Sequence, residues 1–432
     1  MSGIKVDISS SKGIIAVSPI IVFLLVYLLT SLVCGDFYRM PISVALLIAS
    51  MWAACIMRGK TLAERIEIFS KEAGSSNVLY MVWIFILAGA FAAIAKKTGA
   101  VEATVDITLS FLPASMIVPG LFIATCFISM SIGTSVGTVV ALTPFASQMA
   151  EEAGAPIPFF VAIVLGGAFF GDNLSFISDT TIAATRTQGC NMKDKFKANL
   201  AIVLPAAIIA LGLYCFFAPS LDINPMLSGK SHALIIPYLV VIACALLGIN
   251  VTLVLLLGIA SAIIVGLANG LVLLDIFSMA GEGIDSVGAL IIVTLLAAGM
   301  LGMIKSAGGI DFILKVLGKN INTSRGAQLS ISLLVGIVNL CTANNTVAII
   351  TVGSLAKRIS SHYGIPPRKS ASLLDTGSCI TQALIPYGAQ SLMAASLAGI
   401  SPVAPWRYLF YPQILILCLG ISILITKKNP SR

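Results

Sequence analysis

The sequence predicts an all-α polytopic membrane protein made of two inverted repeats, each with a hairpin and a broken helix. Three observations predict this class. Hydrophobic residues form 58% of the 432 residues and charged residues 10%, with a mean hydropathy of +1.03. Several apolar runs approach the roughly 20 residues that cross a bilayer as a helix. The two halves of the chain also resemble each other in hydropathy and in their glycine and proline positions.

Hydropathy locates the predicted spans. Runs without any Asp, Glu, Lys or Arg lie at 14–33, 78–95, 198–217, 233–248, 250–274, 287–304 and 408–426. We interpret them as helices because a backbone in lipid must satisfy its own hydrogen bonds, and the alternation of a membrane β-barrel is absent. The first run is too long for a signal-peptide core and is predicted to be a permanent span.

The charges and cysteines argue against other classes. The net charge is +8, but the lysines and arginines lie in short loops between apolar runs, which is typical of membrane topology and not of nucleic-acid binding. The nine cysteines occur singly, without a CxxC pair, so neither a disulfide framework nor a zinc site is expected. Both histidines, His232 and His362, are in predicted loops, which argues against a histidine metal site.

Two pairs of segments carry the internal repeat. "ILAGAFAAIAKKTGAV" from Ile86 resembles "LLAAGMLGMIKSAGGI" from Leu295. "GTSVGTVVALTPFASQMAEEAGAP", which ends at Pro156, parallels "ANNTVAIITVGSLAKRISSHYGIP", which ends at Pro366. The spacing is thus about 209 or 210 residues. Internal repeats of this kind are typical of secondary transporters.

Loop charges indicate that the repeats are inverted. Loop 58–77 is rich in Lys and Arg, whereas its partner 269–285 contains only acidic charges. Loop 150–157 is acidic and its partner 357–369 is basic. Because basic loops remain in the cytoplasm, each matched pair is predicted to lie on opposite sides of the membrane.

The third matched pair of loops agrees with the other two. Loop 186–197 holds Arg186, Lys193, Lys195 and Lys197, and its partner near 397–407 has only Arg407. The resulting path places both termini in the cytoplasm of a bacterial-type inner membrane. Segments 113–149 and 327–356 must each return to the side on which they began. The chain therefore has about 10 crossings plus 2 hairpins, or 12 spans.

Four units follow from this path. The predicted boundaries are 1–111 for the first scaffold spans, 112–217 for the first transport elements, 218–325 for the second scaffold spans and 326–432 for the second transport elements.

Three carboxylates within the apolar segments are the first candidates for a functional site: Asp172, Asp179 and Asp375. A charge at the bilayer centre is costly, so such residues are functional candidates by default. They lie in "GGAFFGDNLSFISDTT" and "LLDTGSCITQALIPYGAQS", which occupy equivalent places in the two repeats. Paired interrupted helices indicate a binding site near the midplane.

Polar hairpin tips complete the predicted site. Carboxylate, hydroxyl, amide and carbonyl oxygens suit Na⁺ or another hard cation. The candidate cation or proton ligands are Asp172, Asp179, Asn173, Ser175, Ser178, Thr180 and Asp375, with Asp172 and Asp179 holding Na⁺. The candidate tip or substrate residues are Thr134, Ser135, Thr342, Asn344, Asn345, Thr346 and Gln382.

Structural alternatives stay open for these residues. Asp172 or Asp179 can instead cap a broken helix. The hydroxyl-rich tips can serve close helix packing. Asp375 can lie near the solvated inner end of its span.

The same motifs resemble those of the NhaC-type Na⁺/H⁺ antiporters within the ion transporter superfamily. "GDNLSFISDTT" resembles that family's GDK-LSPLSDTT element, and "SLLDTGSCITQALIPYGAQ" resembles its LEDSGT…PLIPW element. The resemblance implies a scaffold from the early spans and a transport domain from the hairpins and broken helices. By analogy, it also implies an elevator-type movement and a homodimer. The chain departs from the motifs at Leu374 and Asn344, where acidic residues are frequent, and at Asn173, where Lys is frequent.

The leading functional hypothesis is therefore Na⁺/H⁺ antiport, in which both ions compete for Asp172 and Asp179. Desolvation raises the proton affinity of a buried carboxylate and a bound cation lowers it, which is sufficient for exchange. The first rival is a Na⁺- or H⁺-coupled carrier of a small organic acid or amino acid. An ion channel is a second rival, and a membrane enzyme is the least favoured. The expected partners are Na⁺, H⁺ and lipid, with no cofactor and no nucleic acid.

Overall fold

The computed structural model describes residues 10–34, 40–100, 103, 113–175, 178–219, 232–247, 249–317 and 323–425. Every regular element in these ranges is helical. The predicted boundary between residues 111 and 112 and both chain termini lie outside the described residues.

The helices of the first half begin with a long apolar pair and end with the elements that build the site. They are α1 (Ser10–Cys34), α2 (Ile42–Ile56), α3 (Leu62–Ala73), α4 (Ser76–Lys97), α5 (Ala114–Ile132), α6 (Ser135–Glu152), α7 (Ile157–Leu174), α8 (Asp179–Gln188) and α9 (Met192–Phe216).

The second half repeats this order after a short 3₁₀ turn at His232–Ile235. Its helices are α10 (Ile236–Leu246), α11 (Val251–Ala268), α12 (Leu273–Ser286), α13 (Gly288–Ser306), α14 (Gly309–Leu317), α15 (Ser324–Thr342), α16 (Asn345–His362), α17 (Pro367–Leu384), α18 (Ala389–Ala398) and, after a second 3₁₀ turn at Ala404–Tyr408, α19 (Phe410–Ile425).

The helix boundaries confirm the repeat. The four helices α5 to α8 each begin and end 210 residues before their counterparts α15 to α18, from Ala114 and Ser324 at one end to Gln188 and Ala398 at the other. A hairpin is followed by a broken helix in both halves. The fold is therefore two inverted repeats of the predicted kind, and residue n of these elements corresponds to residue n + 210.

The described helices suit a membrane. Six helical stretches among the described residues are long and apolar enough to cross a bilayer, and several shorter apolar helices accompany them. Large apolar side chains such as Phe127, Ile208, Ile264 and Leu417 lie on the outer surface. An exposed apolar face of this extent matches lipid contact. The chain is a multi-pass membrane protein.

Three predicted loops contain helix instead: 269–285, which holds most of α12, and two basic segments. The segment 58–77 holds α3, whose first turn is closed by a reciprocal capping box between Thr61 and Glu64. In the segment 186–197, helix α9 already begins at Met192. Prediction missed the two basic segments because a basic, polar sequence suits a helix end as well as a loop.

Reciprocal contacts join the early helices of the two halves. Helix α4 packs on α12, where Gly89 and Gly283 approach so closely that a Cβ on Gly89 would lie 2.4 Å from the carbonyl oxygen of Gly283. The ion pair between Lys97 and Glu282 lies at this contact. In the mirrored position α13 packs on α3, with Lys305 3.7 Å from Glu72. Small residues permit such close packing of membrane helices.

Candidate functional site

Asp172 is the centre of the first half-site. It lies near the end of α7 and is 4% exposed. The backbone N–H of Ser135 donates to its Oδ1 at 3.0 Å, and the Ser135 hydroxyl donates to its Oδ2 at 2.5 Å. Ser135 is the first residue of α6, so the carboxylate lies at the positive end of that helix. The hairpin tip and the broken helix thus meet at one charged contact.

The interruption between α7 and α8 is held by hydroxyl groups. Ser178 caps α8 by accepting the N–H of Thr181, and its hydroxyl donates to the carbonyl oxygen of Asp172 at 2.9 Å. The Thr181 hydroxyl donates to the carbonyl oxygen of Ser175 at 2.8 Å. Ser178, and not an aspartate, is therefore the cap of the broken helix. Ser175 bonds away from the site, donating to the carbonyl oxygen of Met130 at 2.9 Å.

A buried ion pair supports this interruption. The Lys195 ammonium, 1% exposed, lies 2.9 Å from Oδ2 of Asp375, which is fully buried. It also donates to the carbonyl oxygen of Asn173 at 2.8 Å and to the Thr181 hydroxyl at 2.7 Å. Asn199 donates to the same Asp375 oxygen and the same Asn173 carbonyl, each at 2.7 Å. The ammonium is thus surrounded by three oxygen atoms, in the manner of a bound cation.

Both hairpin tips open onto one cavity of about 220 Å³. Its polar walls come from both repeats and include Thr134, Ser135, Asp172, Asp179, Thr180, Asn344, Asn345, Thr346, Gln382 and Gln390. The share of liquid volume of one water is about 30 Å³, so the cavity has room for a hydrated ion or a small solute.

Asp179 faces this cavity in an exposed position at the first turn of α8. This first-turn position places its negative charge at the positive end of the helix, where a carboxylate is stabilised. It therefore differs from the buried Asp172, although both line the same space.

Amide side chains connect the second repeat to Asp172. Gln390 donates to the Ser135 hydroxyl at 2.9 Å and accepts from Gln382 at 2.9 Å. Gln382 also donates to the carbonyl oxygen of Ala343 at 3.0 Å. One continuous chain of hydrogen bonds thus runs from the second hairpin tip to the carboxylate of Asp172.

A second cavity of about 290 Å³ adjoins the first. It shares Met81, Ala343, Asn344, Val347 and Ala389 with the first cavity and extends to Glu72 and Lys305. Thr342, a predicted tip residue, lines this second cavity and not the first. A cavity of about 250 Å³ lies beside Lys97 and Glu282 but shares no lining residue with the first.

Most of the sequence-predicted residues come together, with two exceptions, Asp375 and Asn173, besides Ser175, Ser178 and Thr342. Asp375 does not line the 220 Å³ cavity and is not near a solvated helix end; it is buried in the middle of α17 against Lys195. The side chain of Asn173 turns to the carbonyl oxygen of Phe169 and to Tyr411. The acidic residues are also not at equivalent positions, since Asp172 corresponds to Gln382.

Sequence reasoning missed Lys195, Asn199 and Gln390. The flanking Lys193 and Lys197 predict a basic loop at Lys195. The fourth residue of a helix can still point inward, and Asn199 follows on the same face one turn later. The exposed Lys193 and Lys197 have the same helical spacing, so this pattern does not by itself identify the buried pair.

A membrane-embedded site built from hairpin tips and broken helices of two inverted repeats defines a secondary active transporter. The sequence profile of the Na⁺/H⁺ antiporter family matches residues 6–218 and again residues 225–427. The chain therefore belongs to the Na⁺/H⁺ antiporter family and is an antiporter, of the NhaC type that its motifs resemble.

Curated relatives cover most of the chain. The Malate-2H(+)/Na(+)-lactate antiporter of Bacillus subtilis is 22% identical over 94% of this chain and 93% of its own length. The Na(+)/H(+) antiporter NhaC of the same organism is 25% identical over 80% of this chain and 83% of its own. The arginine/ornithine antiporter ArcD of Halobacterium salinarum is 22% identical over 73% of each chain.

Among solved structures, the YdaH transporter of Alcanivorax borkumensis is similar. It is 14% identical, with a TM-score of 0.41, and the similarity covers 83% of this chain and 86% of that one.

Proposed function

We propose that this antiporter exchanges Na⁺ for H⁺ at Asp172 and Asp179. The observation that carries the proposal is the buried carboxylate of Asp172 on the wall of a polar cavity that Asp179 also lines. Hydroxyl and amide oxygens of Thr134, Thr180 and Asn344 line the same space and are ligands of the kind that Na⁺ prefers.

Competition for one carboxylate couples the two ions. Burial favours the protonated form of Asp172, while a bound Na⁺ favours the ionised form, so each ion displaces the other. The Ser135 N–H and hydroxyl stabilise the ionised form after the proton has left. The Lys195–Asp375 pair neutralises a third carboxylate, so exchange is assigned to the remaining two.

The larger organisation is part of the same proposal. Helices α5 to α9 and α15 to α19 form the transport elements, and the earlier helices of each half form the scaffold. The chain lies in a bacterial-type inner membrane with both termini in the cytoplasm, moves by an elevator-type displacement and forms a homodimer. The basic residues of segment 58–77 support a cytoplasmic position for α3.

Exchange in everted vesicles tests this function. Addition of Na⁺ to vesicles with an acidic interior is expected to dissipate the pH gradient, measured by fluorescence dequenching. Asp172→Asn removes the titratable group and should lower the initial rate by at least about tenfold. Asp179→Asn should raise the Na⁺ concentration for half-maximal exchange. Asp275→Asn, an exposed aspartate in the first turn of α12, is the matched control. Full activity of Asp172→Asn would refute the assignment.

The second candidate is a Na⁺- or H⁺-coupled antiporter of a small organic acid or amino acid. Four amide side chains on the second-repeat side of the cavity favour this candidate: Asn344, Asn345, Gln382 and Gln390. A bare ion needs fewer polar ligands than the cavity offers. Relatives named for malate, lactate, arginine and ornithine also support it. Proteoliposomes distinguish the two: a requirement for an organic solute favours this candidate, and exchange with Na⁺ alone favours the first.

A further inference from the structure

The ends of four helices form a strongly positive surface, which we call the basic end. Helices α8 and α16 finish here, and α9 and α17 begin here. Gln188 ties three of them together, because it donates to the carbonyl oxygen of Gly353 at 2.9 Å and accepts from the Ser370 hydroxyl at 2.8 Å. Asp194 is the one acid in the segments that supply the cations. Apart from the buried Lys195, these cations are Arg186, Lys193, Lys197, Lys357, Arg358, Arg368 and Lys369.

The backbone of these helices does not require the charges. The four cations of α16 and α17 correspond to neutral residues of α6 and α7: Ser147, Gln148, Pro158 and Phe159. Arg368 and Lys369 also lie in the first turn of α17, where the positive end of a helix disfavours a cation. Within the part of the chain that the structure describes, Lys193, Lys197 and Arg368 form no ion pair. A negatively charged partner would compensate these cations.

Two of the lysines lie above an apolar stripe on the outer face of α9. Lys193 and Lys197 are exposed, and Leu204 and Ile208 follow on the same face at 42% and 61% exposure. Topology is set by basic residues in loops and does not require them on the lipid-facing side of a helix. A basic head with an apolar stripe below it matches the phosphate and the acyl chain of a phospholipid.

Helix α19 widens this apolar surface. It packs against α9, and its Leu417 and Ile421 are 60% and 54% exposed. The Lys369 ammonium of α17 donates to the Ser422 hydroxyl in the last turn of α19 at 2.6 Å. A cation of α17 therefore lies at the end of α19, as Lys193 and the rest of the first turn lie at the start of α9.

We propose that the basic end is a binding site for anionic phospholipid. Headgroup phosphate lies against Lys193 and Lys197, with Lys369 at the neighbouring helix end, and the acyl chains lie along the exposed faces of α9 and α19. The opposite face of the same part of α9 holds Lys195 and Asn199, which support the interruption between α7 and α8. A lipid that immobilises the start of α9 thus stabilises the candidate functional site from outside.

Thermal unfolding of the purified full chain in detergent tests the lipid site. Dioleoylphosphatidylglycerol is the probe. Dioleoylphosphatidylcholine has the same acyl chains without net charge, and glycerol phosphate supplies the anion without acyl chains. We expect the phosphatidylglycerol to raise Tm and the other two to change it little, because a ligand of the folded state raises Tm by mass action. Added salt should weaken the rise, since it screens exposed charges.

Three variants locate the effect. Lys193→Gln/Lys197→Gln removes two charges and should raise the phosphatidylglycerol concentration for a half-maximal shift by about tenfold or more, because each lysine near an anionic surface contributes several-fold. Lys369→Gln should raise it less, and it keeps the test valid if the double variant does not fold. Lys71→Gln/Lys96→Gln, which removes two exposed lysines of α3 and α4, is the matched control and should retain the full shift.

Each contrary outcome overturns a stated part of the proposal. Equal shifts with phosphatidylglycerol and phosphatidylcholine, or a phosphatidylglycerol shift that survives in Lys193→Gln/Lys197→Gln and in Lys369→Gln, overturn the site. An equal shift with glycerol phosphate assigns the cations to a free phosphate and overturns the lipid. An equal loss in Lys71→Gln/Lys96→Gln shows an effect of net charge alone and overturns the location.

Discussion

The two broken helices occupy equivalent places but are supported differently. The interruption between α7 and α8 is held by the Lys195 ammonium, Asn199 and two hydroxyl groups. The interruption between α17 and α18 relies on neutral contacts, such as the Tyr387 hydroxyl, which donates to the carbonyl oxygen of Leu340 at 2.7 Å. Charge is thus concentrated in the first repeat. The comparison teaches that duplicated elements can share a backbone while only one of the two interruptions is held by a charged side chain.

Removal of the Lys195 ammonium should have the largest effect on stability, because it removes the charged support of the first interruption. Lys195→Met leaves Asp375 buried and uncompensated, which should cost about 3–5 kcal/mol of stability. A large fall in Tm in detergent is the expected measurement. Lys195→Met/Asp375→Leu replaces the whole pair by apolar groups and should recover most of that loss. If the double variant is as unstable as the single one, the pair has another role than charge compensation.

The second largest difference is expected at the glycines where each broken helix packs against its hairpin. Replacement of the glycine should destabilise the first half more than the second. A Cβ on Gly167 would lie 2.6 Å from the Cβ of Thr125 and 3.1 Å from the backbone nitrogen of Cys126. At the equivalent Gly377 the nearest atom, Cγ1 of Val335, is 3.0 Å away. Gly167→Ala should therefore cost about 1–3 kcal/mol, and Gly377→Ala should cost less. Equal Tm values for the two variants would contradict the tighter packing of the first half.

The smallest expected difference is in how the stability of α3 and of its counterpart α12 depends on pH. The Thr61 backbone N–H and the Thr61 hydroxyl both donate to the Glu64 carboxylate. These two hydrogen bonds, of which the backbone one has the larger effect, hold the pKa of Glu64 below its usual value. Helix α12 begins after Val272 without a side-chain cap. A lowered pKa gives stability that is present above the unfolded-state pKa and is lost as pH falls through the folded-state pKa. Glu64→Gln removes the titrating carboxylate and should therefore abolish this acid sensitivity, whereas Thr61→Val keeps the backbone N–H and should only reduce it.

Amide hydrogen exchange checks this last prediction. Acidification should speed exchange in the first turn of α3 in the native chain but change little in α12 or in the first turn of α3 of Glu64→Gln. Acid-induced opening of equal size in α3 and α12 would argue that the capping box has no part in it.

The fold was predictable from the sequence because hydropathy, loop charge and repeated motifs all report on the membrane. Polar residues together with glycine or proline at 166–181 and 373–391 were enough to indicate broken helices there. The site was predictable only in part. Asp172, Ser135 and the tip residues carry recognisable polar patterns, whereas the role of Lys195 depends on which face of α9 it occupies. No local pattern distinguishes that lysine from its exposed neighbours Lys193 and Lys197.

The hydrogen-bond chain through Gln390 was unpredictable for a related reason. Gln390 and Ser135 are 255 residues apart, and their contact exists only because the two repeats face each other across the site. The exposed position of Asp179 was unpredictable as well, because it follows from the backbone path after residue 178. From the sequence, Asp179 and Asp172 are both predicted to be cation or proton ligands.

The shared walls of the 220 and 290 Å³ cavities have a pharmacological consequence. A compound held between Leu301 of α13 and Val347 of α16 would bridge the two helices and hinder any movement of one against the other. Asp172 and Asp179 do not line the 290 Å³ cavity, so an apolar compound there would not compete with cations for these two carboxylates.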